Sequence, residues 1–167
     1  MISSAYVRSM AQYNGWMNRK VYEAAAELPD DERKRERGAY FGSIHRTLDH
    51  ILFGDRAWLG RFTGHAYDIS SKDGHLYEDF AELLAARRAM DDDILAFAET
   101  VTDAWLAGET TWTSGMDGLT RSRPNWALVA HMFNHQTHHR GQVATLLSQL
   151  GADIGSTDLP WAPFWDA

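Results

Sequence analysis

An all-α four-helix bundle is the fold that this sequence predicts. Four long segments repeat apolar residues at spacings of three and four, strand signal is confined to one short stretch, and no internal repeat or low-complexity tract breaks the chain. Its 167 residues amount to about one domain, taken here as 1–167.

The first segment runs from about Ala5 to Leu28, with Ser3 or Ser4 as its cap. Val7, Met10, Asn14, Met17, Val21 and Ala24 mark its inner face. Pro29-Asp30-Asp31 ends it, and Glu32 to Arg37 reads as a charged connection. The second segment runs from about Phe41 to Phe62, with Ile44, Leu48, Ile51, Leu52, Leu59 and Phe62 as its stripe and Thr63-Gly64 as its stop. From His65 to Gly74 no period is visible. A loop that long has a function or crosses the bundle. The third segment runs from about Tyr77 to Leu106, and Gly108 closes it. Its Asp91-Asp92-Asp93 run reads as a solvated face, because successive helical carboxylates point in different directions. Glu109 to Arg123 reads as a short hairpin or an irregular loop. The fourth segment begins at Pro124 and runs to Leu150, with Gly151 as its stop. The tail from Asp158 to Ala167 carries Trp161, Phe164 and Trp165. It is too apolar to hang free and is expected to pack on the bundle or on a partner subunit.

Composition removes several classes of function. Sixteen Lys and Arg against 23 Asp and Glu leave a net charge of −7, which opposes binding to nucleic acid or to an anionic membrane. With no cysteine, disulfides, Cys-ligated zinc, iron–sulfur clusters and thiol nucleophiles are excluded. No apolar run is long enough to cross a membrane, and Met1 to Ala5 lacks the pattern of a secretory leader, so the expected compartment is the cytoplasm.

Histidine carries the chemistry. Eight are present, and four fall between His131 and His139 on the last segment. His131/His135 and His135/His139 are both stacked pairs, four residues apart. The stripe Leu128, Met132, Val143, Leu146 and Leu150 separates them. At about 100° per residue, His139 lies about 30° from its centre and His135 about 65°, while His131 and His138 lie toward the polar side. Two inward imidazoles four apart favour a metal site over core histidines, because each must otherwise satisfy two ring nitrogens in an apolar setting.

Two ligands make half a tetrahedral site. His50 is the best-placed third, since Ser43, Thr47, Gly54 and Ala57 around it are small and leave room above an imidazole. The same small residues equally permit close helix packing. His45 sits with Asp49 and Arg56 on the other side and reads as solvated, while His65 and His75 are unassigned. The zincin pattern H-E-x-x-H, a di-iron Glu-x-x-His and a calcium loop are all missing. A mononuclear three-His site with an open position remains, suited to Zn, Ni or Fe.

Asn14-Gly15-Trp16-Met17-Asn18, then Ser43 to Leu52, then His131 to Gln142 together resemble the DinB family, the DinB/YfiT-like helical bundles, over nearly the whole chain. The longer later connections allow a long crossover, and the resemblance implies a four-helix bundle that is often a homodimer. It implies one divalent metal per chain held by His50, His135 and His139, the same three that the face argument selects. Related families include S-transferases that use low-molecular-weight thiols such as bacillithiol or glutathione, and a mycothiol-dependent maleylpyruvate isomerase.

The expected function is a metal-dependent S-transferase or hydrolase acting on a small electrophile. The alternative is a non-catalytic metal-binding or stress-response bundle, which a fourth protein ligand would favour. Arg140 is a candidate to clamp a carboxylate of the substrate, with an internal ion pair as its equal alternative. Gln142 is expected either beside the metal ligands or on the facing helix, and Gly141 is expected to permit close helix approach.

Overall fold

The structure is a computed structural model that describes residues 1–70, 75–115 and 117–166. It is mostly helical with one small two-stranded sheet, and no described helix is long and apolar enough to cross a membrane. Four long helices, α1 (Ser4–Ala26), α3 (Ile44–Thr63), α4 (Phe80–Thr100) and α6 (Asn125–Gln149), carry the core. Helix α1 packs on α4 and α6, and α3 packs on the same two. The apolar stripes meet inside, with Val7, Val21, Leu48, Leu52, Leu83, Ile94, Met132 and Phe133 at or near zero exposure.

Local chemistry sets the helix ends. Ser3 Oγ accepts from the Tyr6 amide and starts α1. The charged connection is not free: Asp30–Lys34 forms a short helix, α2, whose Arg33 donates to the carbonyls of Ala25, Ala26 and Leu28. These carbonyls lie in the last turn of α1 and just past it, where a helix runs out of its own amide donors. Helix α3 starts three residues later than its apolar pattern predicts. Ala39 and Gly42 close a bridged turn first, with Gly42 in the left-handed region, and Ser43 Oγ then caps the Arg46 amide. Gly64 ends α3 at φ 74° and Gly151 follows α6 at φ 81°, as their positions predict.

The third segment is two helices rather than one. Helix α4 stops at Thr100, Val101 is extended, and Thr102 caps a separate short helix, α5 (Asp103–Ala107), by accepting from the Trp105 amide at 3.1 Å. Two β-branched residues, one of them a good cap, outcompete the continuing apolar period. Strands β1 (Glu109–Thr113) and β2 (Thr120–Pro124) then pair antiparallel as a hairpin, with Trp112 opposite Arg121. Asn125 joins hairpin to helix: its Oδ1 accepts from Thr110 Oγ1 and its Nδ2 donates to the Trp105 carbonyl.

The connection after α3 crosses that helix as a strap. Positions 71–74 of the expected loop, with Ser71 and Asp73-Gly74, lie outside the described residues. On either side of them, Asp68 O accepts from Arg56 and Tyr77 O bonds His45 Nε2 at 2.8 Å. Asp49 accepts from the amides of Leu76 and Tyr77. His45 and Asp49 are therefore buried, where their sequence row predicts solvent. Asp91 departs from its expected solvated face in the same way. It is buried beside Arg87, 2.9 Å from Nη2, and accepts from Asn18 Nδ2 at 2.7 Å.

The tail takes two short 3-10 turns, Leu159–Trp161 and Pro163–Trp165. The chain leading into it is tied to α1, where Tyr13 donates to Thr157 O at 2.6 Å. Ala162 is buried and Phe164 packs on the core, but Trp161 is 70% exposed and Trp165 53%.

Candidate metal centre

Helices α3 and α6 bring His50, His135 and His139 together, with one nitrogen from each lying within 4.8 Å of the others. His139 is buried and the other two are half-buried, and on α6 His139 lies deeper than His135, as their angular order on the stripe predicts. His50 Nε2 and His135 Nε2 face each other at 3.0 Å. Two nitrogens on one tetrahedral ion at about 2.1 Å stand roughly 3.4 Å apart, so only a few tenths of an ångström separate this pair from chelating distance.

The surroundings favour imidazoles ready to bind. Burial pushes His50 down to about 4 and His135 to about 3, with the neighbouring rings lowering each further, and burial lowers His139 as well. All three are neutral at pH 7, the state that a metal requires. His139 Nδ1 donates to Gln142 Oε1 at 2.8 Å, which leaves Nε2 as the free ligand atom. Gln142 Nε2 in turn donates to His138 Nε2 at 3.2 Å. Of the two expectations for Gln142, the structure supports the one beside the metal ligands. The donor set, its neutrality and its spacing fit a divalent cation.

Glycine provides the space for His135. A Cβ built on Gly54 would stand 2.8 Å from His135 Cε1. Gly141, by contrast, would meet nothing within 4 Å, so it does not serve close helix approach. The pair predicts opposite outcomes. Gly54→Ala is expected to displace His135 and weaken metal binding about tenfold, with a stability loss of about 1 kcal/mol or more from overpacking. Gly141→Ala is expected to stabilise the protein by about 0.5–1 kcal/mol and leave the metal affinity unchanged. Chelator competition and urea melts of both variants check this.

Phe41 was not legible as part of the site. It precedes α3 and stacks on His50, with ring centroids 3.8 Å apart, and its edge meets His139 at 5.4 Å. A cavity of about 510 Å³ opens beside His50, lined also by Tyr40, Phe41, Arg46 and His75. His131 and His138 are exposed, and His65 meets Tyr67 edge-on and is not one of the three convergent histidines. No fourth His, Asp or Glu joins the group among the described residues.

Arg140 follows His139 but turns away from the imidazoles. Its guanidinium is buried and donates to Asn14, to Asn18 at 3.2 Å and to Gln136 at 3.0 Å. Gln136 donates to Asp55 at 2.7 Å, and Asp55 pairs with Arg87. Burial pushes the Asp55 carboxyl up to about 6 while Arg87 opposes the shift, so Asp55 is ionised at neutral pH.

A helical scaffold presenting three convergent imidazoles with no fourth protein ligand among the described residues defines the class: a candidate metal-binding helical protein with an open position. The profile of the DinB family matches residues 1–167, so the chain belongs to that family. It is similar to Protein DinB of Bacillus subtilis (strain 168), with 25% identity over 162 residues, covering 93% of this chain and 92% of that protein.

Proposed function

We propose that the chain is a single-domain four-helix bundle that holds one divalent cation through His50, His135 and His139, and that it is a transferase or hydrolase acting on a small electrophile. The convergence of three neutral imidazoles within 4.8 Å carries this reading. A cation so held keeps its full charge and lowers the pKa of a bound water or thiol toward neutrality. The protein's own contribution is positional. Gln142 fixes the tautomer of His139, Gly54 gives His135 its place, and Phe41 holds the plane of His50. The cavity beside His50 offers a small substrate access next to the ligands, with Arg46 exposed on its wall. Arg140 is held within the helices by the side-chain oxygens of Asn14, Asn18 and Gln136 rather than by the expected ion pair, and this engagement argues against the carboxylate clamp.

Family resemblance extends the proposal to a low-molecular-weight thiol as the attacking group and to a homodimer. The test is turnover of a chromogenic electrophile with glutathione or water, comparing metal-loaded and metal-stripped protein. Turnover confined to loaded protein is expected. Equal rates in both would overturn the enzyme reading and leave a protein that holds a metal without catalysis.

A further inference from the structure

We infer that Gln136 and Arg140 are positioning residues for the three-histidine centre, and that the buried polar network they anchor sets the rotation and height of α6 against α3. This rests on reading that centre as a metal site. The two residues directly follow the two ligand histidines of α6, with the same spacing of four. Gln136 is fully buried. Its Nε2 donates to Asp55 Oδ1 at 2.7 Å and its Oε1 accepts from Arg140 Nη1 at 3.0 Å. Asp55 directly follows Gly54, the glycine against which the His135 ring lies. One hydrogen bond between α6 and α3 therefore joins residues that are each next to a contact of the site. Arg140 extends the tie to Asn14 and Asn18 of α1, Asn18 reaches Asp91 of α4, and Arg87 closes the network back to Asp55.

Stability alone does not account for such a network. Buried ionic groups are weak contributors, and well-packed apolar replacements are often neutral or stabilising. Geometry does account for it. A small rotation of α6 leaves the same apolar residues on its inner side, so the stripe sets which face is buried rather than an interatomic distance. A 20° turn moves atoms about 5–6 Å from the helix axis by about 2 Å. That breaks a 2.7 Å hydrogen bond and exceeds the few tenths of an ångström that metal ligation tolerates. The network and the ligands thus demand the same rotation, and only the network is present before a metal arrives.

The test uses Gln136→Leu and Arg140→Met, with Leu147→Ala as a control in the fully buried core of α6, about two turns past His139. Each full-length, metal-free protein is melted, then titrated with Co(II) against a chromophoric chelator while its visible spectrum is recorded. Both network variants are expected to lose about ten- to hundredfold in Co(II) affinity and to change the shape of the spectrum, whatever their melting temperatures. Leu147→Ala is expected to melt earlier yet keep the wild-type affinity and spectrum. Wild-type affinity and spectrum in Gln136→Leu would overturn the inference, as would an equal loss in Leu147→Ala. Gln136→Leu decides alone if Arg140→Met does not fold, since it removes no charge and leaves Asp55 paired with Arg87. Absence of Co(II) uptake by wild type would instead bring down the metal centre itself, and the positioning role with it.

Discussion

His139→Ala is expected to yield a folded protein without its metal. His139 offers one of the three convergent nitrogens found among the described residues and is the most buried of the three side chains. Loss of a residue that merely orients a ligand weakens metal binding about 10–100-fold, so loss of a ligand costs at least the upper end of that range. Wild-type protein should carry about one divalent ion per chain and the variant close to none. Mass spectrometry of untagged protein is the measurement. Nickel resin is to be avoided, because a chain with eight histidines can fill its site from the column. Equal metal in both proteins, or none in either with no uptake on addition, would rule the centre out. The fold itself should tolerate the change, since no hydrogen bond of His139 other than that to Gln142 is lost.

Asp55→Ala is expected to produce the largest loss of stability, about 3–5 kcal/mol. The carboxylate is completely buried, and two partners depend on it: the Arg87 guanidinium and the Gln136 amide. Removing it leaves a buried cation with only Asp91 to answer it and strands an amide donor. For a chain of this length the melting temperature should fall by about 10 °C or more. Asp55→Asn, which keeps an acceptor for Gln136 but not the charge, should fall between wild type and alanine. A melt showing Asp55→Ala within about 1 kcal/mol of wild type would mean that Arg87 finds another partner or reaches solvent.

Much of this architecture was legible because its signals are local. The caps Ser3 and Ser43, the glycine stops at Gly64 and Gly151, and the helical period between them depend on residues within a turn or two of each other. The histidines were legible for the same reason. His135 and His139 are four apart on one helix, and a single period placed both near the core. His50 required a second helix, and its small neighbours singled it out only as one of two readings; the structure shows Gly54 among them giving room to the His135 ring.

What the sequence hid is set by long-range contact. His45 and Asp49 read as solvated because nothing on their own helix covers them, and their cover arrives about 30 residues later in Tyr77 and Leu76. Asp91 reads as one of three surface acids; Arg87 pairs with it from one turn earlier on the same helix, but its cover comes from Asn18 of α1. Arg140 carried two readings in sequence, and only the approach of α1 separates them. The break at Val101 was masked differently, since the apolar period continues across it while cap chemistry at Thr102 interrupts the backbone.

The strap over α3 joins two parts of the chain that a surface loop would normally keep apart. Asp49 grips the amides of Leu76 and Tyr77, and the next residue along the helix is His50. Loop amides ordinarily exchange their hydrogens through small local openings, well before the helices they connect. Here the two amides are held by a side chain that is itself buried, so letting them go costs Asp49 both of its hydrogen bonds at once. In the hierarchy of opening events, Leu76 and Tyr77 are expected to open with the turn of α3 that carries His50 rather than ahead of it.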